Sequence, residues 1–388
     1  MKGHHTPVSP LSPVRLALSG ERFGAVYALV GDRESVRRVA DQLVVEQTIE
    51  FPRDLVPDDD IQREVIAHIE RLDEVGDGAF ELEVSFAVEL AGGLLSQLLN
   101  VLFGNISMVA GVRLVDVALP ASLLANFAGP RNGIEGLRRL FDRETGPLLA
   151  TALKPMGTPV GDLAGFAFDL AANGIDLIKE DHSFATQPFL PFADRVPVLA
   201  EAVRRGADVR GAPAVFLPAL NVAHEDVESS IDLCIEAGAG GVLVLPGLGG
   251  HDTMRWIAGN TPDDFVIQAH PAFLGSFVTS PDSGIAHEVL FGVFPRLAGA
   301  DMSIFPNFGG RFSFSRDACS RIAERCRSPL GNLRAVWPAP AGGMSVEKVG
   351  ATLEFYGPDT TLLIGGELYR GSIEEQVKRM VDAALEGQ

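Results

Sequence analysis

The sequence is short of cysteine, of long apolar runs and of basic charge. Its three cysteines lie among 388 residues without metal-ligand spacing, so we expect a reduced, cytoplasmic protein without a disulfide framework. No apolar run approaches the roughly 18 to 20 residues that a membrane helix needs, and the N-terminus lacks the apolar segment of a signal peptide. The formal net charge of −19 argues against nucleic acid as a partner. A small anionic substrate is still compatible with this charge, because a few backbone N–H donors or cations can bind it.

Lysine is scarce as well, with 5 residues against 27 arginines. Two of the five, Lys154 and Lys179, end apolar runs, where a strongly hydrated ammonium group is unfavourable. A lysine that serves only solubility is expected on a helix surface. These two are therefore candidates for chemistry.

From about residue 147 onward, short apolar runs alternate with longer segments whose apolar residues have helical spacing. The runs are 147–155, 174–182, 213–221, 241–247, 264–272, 301–308, 334–343 and 361–369. Such alternation indicates a parallel sheet covered on its outer face. Eight units over roughly 240 residues match a (β/α)8 TIM barrel; an open doubly wound sheet is the alternative, because periodicity alone does not show closure.

The sequence before residue 130 does not show this regular alternation of strands and helices, and it predicts a smaller α+β domain. Within it, 14–21 and 79–89 resemble strands, and 32–43 and 60–71 resemble amphipathic helices. The fold class is therefore α/β, with an α+β domain over 1–130 followed by a barrel over 131–388.

Polar residues at the C-terminal ends of barrel strands face the active site. Lys154 ends the first predicted strand, and Lys179, Glu180, Asp181 and His182 end the second. Because side chains alternate along a strand, Lys179 and Asp181 share one face and Glu180 points the other way. His270 ends the fifth strand.

A buried lysine two residues from an aspartate has three interpretations. Lys179 and Asp181 form a structural ion pair, or the lysine is a Schiff-base nucleophile as in aldolases. In the third, carbon dioxide adds to Lys179, and the resulting carbamate and Asp181 hold a hard divalent cation such as Mg²⁺.

Two glycine-rich strand ends predict a phosphate site. The seventh strand closes with Ala341, Gly342 and Gly343, and the eighth with Gly365 and Gly366. Loops after these two barrel strands commonly present backbone N–H groups to a phosphate. The alternative is that the glycines only permit tight turns.

At these positions the chain resembles the large chain of RuBisCO, and more closely its non-carboxylating relatives, the RuBisCO-like proteins of form IV. The resemblance runs through most of the chain, in the order VEQTIEFP, LLNVLFGNISM, GVRLVDVALP, FAGPRNGIEGLR, TALKPMG, GIDLIKEDH, PAPAGGM and LLIGGELY. It implies that Lys179 is a carbamylated metal ligand, Asp181 the second ligand and Lys154 the lysine that assists enolisation. His270 would contact substrate oxygens, and Gly343, Gly365 and Gly366 would hold one phosphate.

The resemblance also implies a homodimer with shared active sites. Glu46 and Asn105 match residues that the neighbouring subunit contributes to the site.

The departures from the family pattern narrow the function. The third metal position, normally Glu, is His182, and imidazole is a poorer partner for Mg²⁺ than a carboxylate. Either Mg²⁺ binds weakly, or the site favours Mn²⁺ or another divalent metal, or His182 turns away and serves as an acid or base. Met156, Pro271 and Ile304 replace a lysine, an arginine and a histidine of the carboxylating members. The loop NFGGRFSF has Arg311 and no lysine. Neither carbon dioxide fixation nor a bisphosphate substrate is therefore expected.

The resulting hypothesis is a metal-dependent enzyme that forms an enolate from a keto-sugar or keto-acid monophosphate. It would act as an isomerase or tautomerase, or as a decarboxylase of a β-keto sugar acid phosphate. One alternative is a Schiff-base aldolase that uses Lys154 or Lys179. The other is a metal-free protein that binds a phosphate ester, which His182 makes credible.

Overall fold

The computed structural model describes residues 11–387. The strands in this part of the chain are β1 Arg22–Val30, β2 His68–Gly76, β3 Ala79–Ala87, β4 Val112–Ala118, β5 Leu148–Leu153, β6 Leu177–Glu180, β7 Val215–Leu217, β8 Gly241–Val244, β9 Val266–Ala269, β10 Gly284–Ile285, β11 Met302–Pro306, β12 Trp337–Ala341 and β13 Thr361–Leu363. The α-helices are α1 Arg33–Glu46, α2 Leu95–Phe103, α3 Ala121–Leu124, α4 Gly133–Leu140, α5 Val160–Asn173, α6 Phe192–Arg210, α7 Val227–Glu236, α8 Pro246–Gly249, α9 His251–Gly259, α10 Phe294–Leu297, α11 Arg316–Arg327, α12 Val349–Tyr356 and α13 Ile373–Glu386.

The chain forms two compact units. The first runs to Phe127 and also takes in Ser276–Val289; the second contains Ala128–Gly275 and the chain from Leu290 onward. The prediction that 131–388 is all barrel is therefore wrong for Ser276–Val289. This segment supplies β10, which pairs in parallel with β4, and the Ser283 hydroxyl accepts the Gly111 N–H at 2.9 Å. It thereby satisfies backbone groups that the outer edge of β4 would leave unpaired.

The first unit is built on a five-stranded sheet with the order β10-β4-β1-β3-β2. The predicted helix over 32–43 and the strand over 79–89 are confirmed as α1 and β3. The predicted strand over 14–21 is wrong. The strand begins instead at Arg22, where buried and less buried residues alternate cleanly along RFGAVYALV.

The predicted helix over 60–71 is also wrong. A short π-helical turn, Ile61–Val65, precedes β2, which pairs antiparallel with β3. This pairing brings the Arg71 guanidinium to 2.7 Å from Glu81 and 2.6 Å from Glu83. Such cross-strand contacts join residues of different segments, and the apolar spacing of one segment does not reveal them.

The second unit contains all eight predicted barrel strands. They are parallel, in the order β7-β6-β5-β13-β12-β11-β9-β8. Backbone hydrogen bonds join the two ends of this order, from Leu220 N to Leu243 O at 2.9 Å and from Leu243 N to Pro218 O at 2.8 Å. The predicted barrel is confirmed, and the open sheet is excluded by this closure.

None of the helices between residues 11 and 387 has both the length and the apolar character that a bilayer span requires. The three cysteines are buried free thiols.

Candidate active site

The C-terminal ends of β5 and β6 bring Lys154 and Asp181 together. The parallel register places Leu153 beside Glu180, so the next two residues, Lys154 and Asp181, follow side by side. The Lys154 Nζ lies 2.5 Å from Asp181 Oδ2. The other carboxylate oxygen accepts the hydroxyl of Ser183 at 2.8 Å and its backbone N–H at 3.1 Å. One of the three interpretations of the sequence paired Lys179 with Asp181, but the ion pair of Asp181 is made by Lys154.

The Lys179 side chain is buried and donates a hydrogen bond to the Glu180 carbonyl at 3.0 Å. Burial, reinforced by the nearby Lys154 charge and opposed by Asp181, lowers the pKa of Lys179 to about 8. Burial acts to raise the pKa of Asp181, but the hydrogen bonds from Lys154 and Ser183 outweigh it and hold that pKa well below its ordinary value. The site therefore pairs an amine that is partly neutral near physiological pH with a carboxylate that stays ionised.

Two histidines stack beside this carboxylate. The rings of His182 and His270 lie 4.5 Å apart, centroid to centroid, with 15° between their planes. The Nδ1 of His182 is 3.4 Å from Asp181 Oδ1. Burial is the main cause that lowers the pKa of both imidazoles. The Ala272 backbone N–H donates to His270 Nδ1 at 3.1 Å, which leaves the proton of the neutral ring on Nε2.

Glu180 points away from this group, as the alternation predicts. Its carboxylate accepts Arg195 Nε at 2.7 Å, Arg195 Nη2 at 3.0 Å and the Ala219 N–H at 2.9 Å. Both side chains of the ion pair are fully buried. The pair ties β6 to α6 and to the residues after β7, and it fixes which residues of the strand face the other side. Arg195 was not predicted from the sequence, because the residues around an arginine in a helix do not show that it pairs with a buried carboxylate.

The two glycine loops lie on neighbouring strands. Ala341 at the end of β12 pairs with Leu363 of β13, and β13 in turn pairs with β5, which leads to Lys154. Gly342 and Gly343 have φ angles of +87° and +69°, which L side chains rarely adopt. A Cβ on Gly343 would lie 2.7 Å from the Cα of Gly310, so the backbone at Gly343 packs directly against the backbone at Gly310 and leaves no room for a side chain.

The second glycine loop, at Gly365 and Gly366, faces open space, since an added Cβ on either residue would meet no atom within 4 Å. A positively charged side chain lies at the first glycine loop, at Gly342 and Gly343, because Lys348 Nζ donates a hydrogen bond to the Gly343 carbonyl at 2.7 Å. Backbone N–H groups in such loops are suited to an anion.

Arg311 lies in the loop that touches Gly343. Its guanidinium carbon is 4.9 Å from the centre of the Phe312 ring. Its charge is one of those that, after burial, lower the pKa of His182. The Arg311 charge therefore acts on His182.

Glu46 and Asn105 meet each other in the first unit. The Asn105 amide donates to Glu46 Oε1 at 2.9 Å. The neighbouring residue Gln47 holds the two segments together, because its amide donates to Val101 O at 2.9 Å and its carbonyl accepts the Ile106 N–H at 2.9 Å. The two predicted residues thus form one exposed pair.

Comparison with known proteins places the chain in a family. Residues 133–309 match the family model described as ribulose bisphosphate carboxylase large chain, catalytic domain. The chain is 37% identical over 349 residues to the 5-methylthioribulose-1-phosphate isomerase of Rhodospirillum rubrum, covering 90% of this chain and 91% of that protein. It is 31% identical over 301 residues to the 2,3-diketo-5-methylthiopentyl-1-phosphate enolase of Exiguobacterium sibiricum, covering 76% and 75%. The crystal structure of a Rubisco-like protein from Rhodopseudomonas palustris superposes with a TM-score of 0.85 at 35% identity, covering 94% of this chain and 98% of that one. The chain therefore belongs to the RuBisCO large-chain family, among its RuBisCO-like proteins.

Proposed function

We propose that this protein is a metal-dependent, non-carboxylating enzyme that forms an enolate from a keto-sugar or keto-acid monophosphate. Its product would arise by isomerisation or by decarboxylation. The observation that carries the proposal is the buried Lys179, with its pKa near 8, beside the Lys154–Asp181 ion pair. The glycine loops on the adjacent strands supply the place for one phosphate.

The residues fit a divalent cation if Lys179 is carbamylated. The ammonium group of Lys154 lies beside the Asp181 carboxylate and neutralises it, as a bound metal cation would. Among residues 11–387, no group of three His, Cys, Asp or Glu side chains is arranged to hold a metal. A carbamate on Lys179 would add the missing anionic oxygen to Asp181, with His182 as a third ligand that favours Mn²⁺ or a softer metal over Mg²⁺. A divalent cation bound there would polarise the substrate carbonyl and make the adjacent C–H more acidic.

The chain's own residues handle the protons. Lys154 holds a proton on Nζ next to Asp181, and once released from that carboxylate its amine can exchange a proton with the substrate. His270 offers an Nε2–H donor, because its Nδ1 is engaged by the Ala272 N–H. A fixed donor of this kind stabilises negative charge as it develops on a substrate oxygen.

The substrate class follows from the cationic and polar residues of the family that this chain lacks. Phosphate-binding N–H groups are offered by the two glycine loops, whereas Met156, Pro271 and Ile304 replace cationic or polar family residues. We therefore infer a substrate with one phosphate and a second end that is apolar or carries no more than a carboxylate. The two enzymes compared above are named for monophosphates that carry a methylthio group.

We also propose a cytoplasmic homodimer in which Glu46 and Asn105 of one subunit complete the site of the other. The hydrogen bond between the two side chains presents them as one polar pair on the first unit. Carboxylate and amide groups in such a pair are suited to the hydroxyls of a sugar phosphate.

The proposal is tested by following solvent deuterium exchange into 5-methylthioribulose 1-phosphate by NMR, with bicarbonate and Mn²⁺ present. We expect exchange in the wild type and a loss of at least about 100-fold in Lys154→Met and Lys179→Ala. Lys378→Ala removes an exposed helix lysine and serves as the matched control, with exchange unchanged. Full exchange in Lys179→Ala would refute the proposal.

The same samples separate the two alternatives. A Schiff-base aldolase would be trapped on Lys154 or Lys179 by borohydride with substrate present, and chelators would have no effect. A binding protein would take up the phosphate ester equally well with or without metal and in Lys179→Ala. We expect neither result.

A further inference from the structure

A cavity of about 390 Å³ opens in the second unit at the end of the strands opposite Lys154 and Lys179. It lies near the start of β5, at Leu149, and where Gly174 leads from α5 towards β6. Its volume falls in the range of small-molecule sites, roughly 300 to 1,000 Å³. The site proposed above does not use any residue of this cavity.

The charged part of the cavity is made by two arginines that share one buried carboxylate. Arg143 Nη2 lies 3.0 Å and Arg210 Nη2 2.9 Å from the same oxygen, Asp176 Oδ1. Two nitrogens bound to one oxygen are at most about 6 Å apart, so two like charges are held side by side. Asp176 is itself fixed by the Leu149 N–H at 2.9 Å and has an exposed fraction of 1%.

This arrangement leaves one positive charge unbalanced. Asp176 neutralises one guanidinium and lies behind the wall, and none of the described residues that line the cavity is acidic. A chain with a net charge of −19 thus has a local cationic site here.

The two guanidiniums also keep hydrogen-bonding capacity. Beyond Asp176, Arg143 donates to the Pro147 carbonyl and Arg210 to the Ile175 carbonyl. These contacts use only part of the five N–H donors that each side chain carries. Both side chains stay partly exposed, at 24% and 17%.

Besides the two arginines, the wall contains the polar residues Thr145 and Asn173, and the remainder is apolar. Val381, Ala384 and Leu385 of α13 line one side of the cavity. A hydrocarbon group gains from contact with such a surface by about 25 cal/mol per Å² removed from water. The cavity therefore combines a cationic pair with an apolar wall.

We propose that this cavity binds a small organic monoanion, of which a short-chain carboxylate is the simplest example. Its head accepts hydrogen bonds from Arg143 and Arg210, and its tail packs on Val381, Ala384 and Leu385. The ends of α5 and α13 place partial negative charge nearby and weaken the site. We expect a Kd on the order of 0.1 to 1 mM for a ligand of about eight heavy atoms.

The test is calorimetric titration of the full chain with acetate, butyrate, hexanoate and hexanesulfonate at constant ionic strength. These probes are anions, so the variants described below separate binding in the cavity from binding at the glycine loops. We expect saturable binding that strengthens from acetate to hexanoate, with hexanesulfonate similar to hexanoate. Hexanol and hexylammonium are the neutral and cationic controls and should bind at least about tenfold more weakly.

Two pairs of variants localise the site. Leu385→Glu puts a carboxylate at the rim, and Leu385→Gln is its neutral match; the side chain is 64% exposed, so the fold tolerates both. Arg210→Met removes one guanidinium, whereas Arg204→Met removes an exposed arginine of the same helix. Leu385→Glu and Arg210→Met should weaken hexanoate at least about tenfold, the equivalent of about 1.4 kcal/mol, and the two controls should change it less than about twofold.

Three results would overturn the proposal. They are the absence of saturable binding of any probe, equal binding of hexanol and hexanoate, and unchanged hexanoate binding in Leu385→Glu. The Leu385 variants decide the matter even if Arg210→Met does not fold. Because the assay contains no keto-sugar substrate and no metal, its outcome is independent of the proposed enzymatic function.

Discussion

Replacing Arg195 with methionine should destabilise the second unit more than any surface change, because it strands a buried carboxylate. Glu180 and Arg195 both have fully buried side chains, and Glu180 would keep only the Ala219 N–H as a partner. Removing one partner of a buried ion pair costs about 3 to 5 kcal/mol. For a unit of this size that corresponds to a fall in Tm of about 6 to 20 °C.

The effect extends to the site. The Arg195 guanidinium also donates to the Leu190 carbonyl at 3.0 Å and to the Ala185 carbonyl, and it lies 5.0 Å from the centre of the Phe192 ring. These contacts anchor the segment that follows Asp181 and His182. We therefore expect the variant to lose order at the proposed metal position before global unfolding, visible as a weaker Mn²⁺ affinity.

The assay is urea denaturation followed by near-UV circular dichroism. Arg204→Met, on the exposed face of the same helix, is the control and should leave the unfolding midpoint unchanged. The double variant Glu180→Gln with Arg195→Met removes the unpaired charge and should recover more than half of the loss. A buried ion pair of this kind is contradicted if Arg195→Met lowers the free energy of unfolding by less than about 1 kcal/mol, or if the double variant is no more stable than the single one.

Three further predictions concern the site. With a pKa of about 8, Lys179 is neutral in about a tenth of molecules at pH 7, against fewer than about one in a thousand for an ordinary lysine. Incorporation of ¹³C-bicarbonate into Lys179, read by NMR, should therefore rise about fivefold from pH 7 to 8 and level off above about pH 9. A rise of about tenfold per pH unit that continues above pH 9, as for an ordinary lysine, would contradict the lowered pKa. Gly343→Ala puts a Cβ within 2.7 Å of Gly310 Cα at a φ of +69° and should raise KM for a phosphorylated substrate at least about tenfold. Gly350→Ala is the control and should leave KM unchanged, because its Cβ would meet open space. Equal KM values in the two variants would show that the Gly343 loop does not bind the phosphate. If sites are shared between subunits, mixing inactive Asn105→Ala with inactive Lys179→Ala should restore about a quarter of wild-type activity through hybrid dimers, and no recovery after verified subunit exchange would show that each subunit's site is complete.

The barrel was predictable because each of its strands is a compact apolar run bounded by polar or glycine residues. The convergence of Lys154, Lys179 and Asp181 was predictable for a related reason, since C-terminal strand ends in a barrel meet at one face. Which lysine pairs with Asp181 was not predictable. That choice depends on the register between β5 and β6, which aligns Lys154 with Asp181 across strands.

Several of the features that the sequence did not reveal depend on partners far apart along the chain. Arg195 is 15 residues from Glu180, and nothing in its own neighbourhood shows that it is buried. Ser283 is 172 residues from Gly111, and this contact draws a piece of the predicted barrel into the first sheet. Helical spacing over 60–71 was misleading for the same reason, because pairing with β3 overrode the local pattern.

We propose that Lys179 and Asp181 form an enolisation centre, and a crystal structure of protein grown with bicarbonate and Mn²⁺, with data collected at the manganese absorption edge, would test this. We expect added density on Lys179, an anomalous peak shared by Lys179 and Asp181 with His182 turned towards it, and Lys154 released from Asp181. An unmodified Lys179, with Lys154 still paired to Asp181 and no anomalous peak at millimolar Mn²⁺, would contradict it.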